Sequence, residues 1–97
     1  MKTFKNLINS DQLTLVDFYA EWCGPCKTMK PILEDLKRKI GDKATIIKID
    51  VDKNQEAAAA YSIRSVPTLM LFKAGKIVWQ QAGVVSSNDL SKIIDAH

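Results

Sequence analysis

The chain holds two cysteines, Cys23 and Cys26, separated by Gly24 and Pro25. Two intervening residues let the sulfurs approach bonding distance across one turn. The pair follows a strand-like run and opens a helical one, and in a chain alternating β and α segments it reads as a redox dithiol. A helix N-terminus carries unpaired N–H groups and partial positive charge, which favours a thiolate at Cys23. Cys23, at the helix mouth, is expected to be the exposed attacker. Cys26, one turn in, is expected to be partly buried and protonated until needed. Pro25 stiffens the first turn without losing a hydrogen bond there. Two competing readings are weaker. Structural zinc needs about four ligands, and two cysteines and His97 fall short, so no metal is expected. An inert disulfide would close too small a ring to stabilise the fold much.

Four further positions stand out. Asp17 interrupts an apolar strand just before the cysteines. On a half-exposed strand it would face solvent, whereas in a strand covered on both faces it would be buried, with a raised pKa suited to accepting a proton near neutrality. Lys48 lies between Ile47 and Ile49 in another strand run and reads by itself as an exposed lysine. Val66-Pro67 precedes a strand run, and Trp22 is either core or the flank of a groove beside Cys23.

These residues must be held by elements that the periodicity outlines. Phe4, Leu7 and Ile8 follow helical spacing after a possible Thr3 N-cap, which places a first helix within Met1 to Ser10. Leu13 to Phe18 is strand-like. Met29, Ile32, Leu33, Leu36 and Ile40 give a helix from Gly24 to Ile40, with Pro31 inside it and Gly41 as its stop. Ala44 to Val51 is a β-branched strand run, and alanine-rich Asn54 to Tyr61 a short helix. Thr68 to Phe72 and Lys76 to Gln81 form a hairpin around Lys73-Ala74-Gly75, Gly83 marks a bend, and Ser86 to Asp89 offers a capping box for the last helix. The order is α-β-α-β-α-β-β-α. Strands separated by helices are expected to pair in parallel through right-handed crossovers, with an antiparallel hairpin at the edge. The expected fold is a three-layer α/β sandwich on a mixed four-stranded sheet, one domain over residues 1–97.

Composition agrees with a globular domain. The 97 residues are 46% hydrophobic and 26% charged, with a formal net charge of +3. At this size roughly 65% of the unfolded chain's surface can be buried, enough for a core without staples. The basic residues are dispersed, and Lys37, Arg38 and Lys39 sit beside Glu34 and Asp35, so a solvated helix face is expected rather than a nucleic-acid footprint. The longest apolar run, Ala57 to Tyr61, is far short of the ~20 residues of a membrane span. The N-terminal apolar stretch breaks at Asn9, unlike a signal-peptide core. A cytoplasmic location is the expectation, where a disulfide is transient rather than structural.

The stretch Val16-Asp17-Phe18-Tyr19-Ala20-Glu21-Trp22-Cys23-Gly24-Pro25-Cys26-Lys27 resembles the active-site segment of the thioredoxin family, itself a standard example of a lowered cysteine pKa. Pro31 is similar to the family's helix proline, Tyr61 to Leu69 to its substrate loop, Phe72 to Gly75 to its hairpin and Gly83 to the glycine beyond the last strand. The resemblance runs from about residue 13 onward. It implies that Cys23 attacks substrate disulfides, that Cys26 resolves the mixed disulfide, that Asp17 is a buried acid relaying a proton from Cys26, and that Lys48 is the lysine beside that acid. It further implies that Pro67 is cis and turns the Val66 backbone toward an extended substrate, in a groove shared with Trp22, Gly24, Pro25 and Gly83. The implied activity is protein-disulfide reduction with no bound cofactor and with recycling by an external NADPH-dependent flavoprotein, thioredoxin reductase. Disulfide-containing proteins would be the substrates, and a monomer the working form. An oxidase or isomerase of the same fold and a docking module are the alternatives. The chain departs from the family in three ways. The usual first strand is not evident, which would leave Ala44 to Val51 at the sheet edge. Tyr19 stands where Trp is frequent. Ser62 and Ser65 stand where glycines are frequent.

Overall fold

A computed structural model describes residues 4–97, so the Thr3 cap and the start of the expected first helix lie outside the described residues. The elements are α1 (Phe4–Ile8), β1 (Leu13–Tyr19), α2 (Gly24–Ile40), a 3-10 turn (Gly41–Lys43), β2 (Ala44–Asp50), α3 (Gln55–Ala60), β3 (Thr68–Lys73), β4 (Lys76–Ala82) and α4 (Ser87–Ala96). The order matches the sequence reading, with ends shifted by a residue or two. α2 runs through Pro31 as one helix, and Gly41 at φ 55° ends it.

The sheet order is β2-β1-β3-β4. β1 and β2 pair in parallel, while β1–β3 and β3–β4 are antiparallel. The expectation of parallel pairing across each helix therefore holds for β1 and β2 and fails for β2 and β3, which are not neighbours. Length does not decide this, because residues 51–67 separate the two strands and a parallel return needs only about a dozen. β3 is buried on both faces and takes an inner place beside β1 rather than the edge beyond β2. The chain after β2 instead stays at the same end of the sheet, and Thr68 enters β3 opposite Phe18, near the end of β1.

Side-chain alternation splits the core between the two faces of the sheet. Leu13 and Leu15 of β1, with Leu69 and Leu71 of β3, pack under Met29, Leu33 and Leu36 of α2 and Leu90 and Ile94 of α4. Val16, Phe18, Met70 and Phe72 point the other way, where Ile8, Phe4, Tyr61 and Ile63 cover them. There Phe4 and Tyr61 contact each other and both Phe18 and Phe72, with ring centroids 5.3–6.3 Å apart. β1 is thus covered on both faces, which decides the fate of Asp17.

Smaller devices fix the connections. The Ser86 hydroxyl caps α4 by accepting from the Asp89 N–H at 3.1 Å. The β3–β4 turn places Ala74 and Gly75 at φ 52° and 80°, the positive pair that a two-residue hairpin demands. Their N–H groups donate to Ser10 O and Ile8 O, tying the hairpin to the end of α1.

Candidate active site

β1 ends at Tyr19, and Cys23 is the N-cap of α2, in an extended conformation (φ −87°, ψ 118°). Its sulfur accepts the N–H of Cys26 at 3.1 Å, the part a serine or aspartate oxygen plays at an ordinary helix start. No acidic residue occupies the first turn of α2, so nothing there competes with a thiolate for the helix's positive end. The two cysteines are joined as a disulfide, with Cα atoms 5.3 Å apart.

The exposed attacker is corrected. Cys23 is 4% and Cys26 7% exposed, so neither stands out to solvent in the disulfide form. Both sit in a small apolar cluster with Ala20, against Tyr19, Val51 and Val66. Three chain segments, from the ends of β1 and β2 and the start of β3, converge over the sulfurs, a convergence no local pattern encodes.

The Val66-Pro67 peptide is cis. Cys23 Sγ lies 3.6 Å from Val66 O, which brings the loop before β3 onto the redox pair. Among the described residues the Val66 N–H has no hydrogen-bond partner, leaving it available to an extended peptide. Gly83, at φ 93°, donates its N–H to Pro67 O at 2.8 Å and so flanks the same loop. Gly24 has open space where a side chain would project.

Trp22 belongs to the flank of this site rather than to the core. It is 71% exposed, and its indole N–H donates to Asp52 Oδ2 at 2.9 Å. Sequence reading missed Asp52 and its support. The Asp50 carboxylate accepts the N–H groups of Asp52 and Lys53, shaping the turn after β2. Asp-Val-Asp-Lys-Asn is visible as turn chemistry, but its partner Trp22 lies thirty positions away.

Asp17 is fully buried, and neither carboxylate oxygen has a hydrogen-bond partner among the described residues. Alternation along β1 puts it on the α2 face with Leu13 and Leu15. Burial pushes its pKa up to about 6, a rise that the positive charge of Lys48 partly offsets. The parallel register pairs Asp17 with Lys48 directly. The Lys48 side chain is exposed, and its ammonium sits over the Tyr19 ring, 5.4 Å from the centroid.

The thioredoxin family model matches residues 1–96. The chain belongs to the thioredoxin family. It is 44% identical to thioredoxin 2 of Chlorobaculum tepidum over 91 residues, covering 94% of this chain and 84% of that protein. It is likewise 44% identical to the thioredoxin of Bacillus subtilis over 88 residues, covering 91% and 85%. Among solved structures, a mutant thioredoxin from Halobacterium salinarum superposes with a TM-score of 0.85 at 39% identity, over 95% of this chain and 80% of that one. Membership in the thioredoxin family makes the protein a dithiol–disulfide oxidoreductase that reduces protein disulfides, with reductases and disulfide substrates as its general partners. Thioredoxins work through the redox disulfide itself. Among the described residues no group of three or more His, Cys, Asp or Glu side chains could hold a metal ion. No helix there is long and apolar enough to cross a membrane.

Proposed function

We propose that the chain, acting as a single domain over residues 1–97, reduces protein disulfides by a two-step exchange in which Cys23 attacks and Cys26 resolves. The Cys23 thiolate attacks one sulfur of a substrate disulfide, forming a mixed disulfide and releasing the other sulfur as a thiolate. The Cys26 thiol passes its proton to the Asp17 carboxylate and attacks Cys23 Sγ. The internal disulfide forms, and the second substrate sulfur leaves. Two electrons pass from the dithiol to the substrate. The observation that carries this reading is the N-cap geometry of Cys23, whose sulfur already accepts the Cys26 N–H at 3.1 Å.

The supporting roles follow from placement. A carboxyl group titrating at about 6 is poised to take a proton near neutrality. Lys48 tunes that carboxyl by its charge. The Val66 backbone pairs with an extended substrate segment beside Pro67, a mode largely indifferent to substrate sequence. Trp22, Gly24, Pro25 and Gly83 border the groove. No cofactor is bound, and an NADPH-dependent flavoprotein, thioredoxin reductase, restores the dithiol. The protein works as a cytoplasmic monomer without nucleic-acid or membrane partners.

Trapping tests the mechanism. Cys26→Ser should accumulate a mixed disulfide through Cys23 with a disulfide-bonded protein such as insulin, detected by intact mass and released by dithiothreitol. Cys23→Ser should form none. If Cys26→Ser gives no adduct with any disulfide substrate, the mechanism fails.

A further inference from the structure

The ammonium of Lys48 needs a reason to stay near Asp17, and the sheet supplies one. Paired residues on adjacent strands project to the same side, so the register places Lys48 beside Asp17 on the α2 face. Tyr19 is two residues beyond Asp17 on β1 and so shares that face. It is the diagonal neighbour of Lys48, a separation that aromatic and long side chains bridge. The ring does so, with Lys48 Nζ 5.4 Å from its centroid. The same ring packs against the cluster of Ala20, Cys23 and Cys26. Tyr19 therefore touches both the cluster that holds the redox pair and Lys48, the cation among the described residues whose charge acts on Asp17.

The other surroundings of Lys48 would draw it elsewhere. It lines a groove between β2 and α2 with Lys30, Glu34, Lys37 and Arg38 over Leu33 and Ile46. Three cations there repel it, Glu34 offers a competing anion further along α2, and Asp50, paired with Tyr19 on the same face, is an anion already engaged by the N–H groups of Asp52 and Lys53. On β3, Leu69 faces Asp17 and brings no charge. A four-carbon stem with an ammonium at its tip has many rotamers, and an aromatic face is the feature here that selects the one near Asp17.

We propose that Tyr19 is a positioning residue of the proton relay: its ring holds the Lys48 ammonium at the Asp17 end of the α2–β2 groove, so that the charge of Lys48 is felt by the buried carboxyl. The proposal rests on the reading of Asp17 and Lys48 given above, and it needs the ring face alone, not the hydroxyl.

The test reads the titration of the Asp17 carboxyl directly, by carbon-13 NMR of the oxidised protein, and so does not depend on whether Asp17 moves a proton in turnover. Lys48→Gln should raise the midpoint, because a favourable cation is lost. Tyr19→Leu should raise it by about half a pH unit, and Tyr19→Phe, which keeps the ring, should leave it in place. In a Lys48→Gln background Tyr19→Leu should add nothing, because its effect passes through Lys48. If Tyr19→Leu leaves the midpoint unchanged while Lys48→Gln raises it, the positioning role is wrong and the Lys48 reading survives. If Tyr19→Leu moves it equally in both backgrounds, the ring acts by packing and the proposal is overturned. If Lys48→Gln itself moves nothing, the Lys48 reading fails and the proposal with it. The unsubstituted protein gives an independent check: the terminal methylene protons of Lys48 should be shifted upfield by the Tyr19 ring current, and unshifted protons would overturn the proposal without any variant.

Discussion

At the scale of single residues, the site depends on groups placed against their ordinary preferences. Asp17 is a carboxyl group with no hydrogen-bond partner among the described residues and no exposure, a combination that costs stability. Asp17→Asn should slow the resolution step, lengthening the lifetime of the mixed disulfide at pH 7 in quenched-flow measurements, while leaving the Cys23 attack on substrate much less affected. Equal slowing of both steps would point to a structural role instead. Trp22 depends on Asp52 in a simpler way. Asp52→Ala should free the indole, and its nitrogen-15 order parameter should fall to about 0.6 or below, the range of a mobile group. An unchanged value would mean that contacts other than this bond hold the ring.

At the scale of elements, α2 and the β3–β4 hairpin are the parts most constrained. α2 supplies both cysteines at its first turn and a buried stripe of Met29, Leu33, Leu36 and Ile40 that fixes its rotation on the sheet. It is also clasped to α4, where the Ser87 hydroxyl donates to Asp35 and Lys39 reaches both residues. The hairpin carries a correctable strain, because Ala74 sits at φ 52° with a Cβ that disfavours that region. Ala74→Gly should stabilise the protein by about 0.5–1 kcal/mol, read as a higher urea midpoint at constant m-value. Gly75 is the opposite case. A Cβ there would meet Asn9 Oδ1 at 2.9 Å, in a backbone conformation with φ +80°, so Gly75→Val should destabilise by more than Ala74→Gly gains.

At the scale of the whole molecule, the raised pKa of Asp17 makes global stability depend on pH. Below pH 3.8 the carboxyl is protonated in both folded and unfolded chains. As pH rises from about 4, the unfolded chain releases this proton first, while the folded chain holds it until about 6. The folded state then binds more protons, so stability falls across this window and levels off above it. A rise of about two units, at about 1.4 kcal/mol per unit, corresponds to a loss of about 3 kcal/mol. Urea unfolding from pH 4 to 8 should show this decline, and Asp17→Asn should remove it. Asp35 acts in the opposite sense. Its hydrogen bonds from Ser87 and Lys39 lower its pKa, so its contribution is lost only as pH falls below the ordinary carboxylate range, outside the Asp17 window.

The order of elements, the two cysteines at a strand-to-helix junction, the hairpin and the cap of α4 are legible in the amino-acid sequence, because each is set by residues close together along the chain. Periodicity, a Cys-Gly-Pro-Cys spacing, an Ala-Gly turn and a Ser cap act locally, and the fold kept them all. The tertiary structure decided what depends on distant partners: the antiparallel entry of β3, the burial of Cys23 beneath Tyr19, Val51 and Val66, the tie from Trp22 to Asp52 and the place of Lys48 over Tyr19. Local patterns could leave Asp17 either exposed or buried. Only the covering of β1 on both faces chose, and that choice turned an ordinary aspartate into a carboxyl that titrates near neutrality.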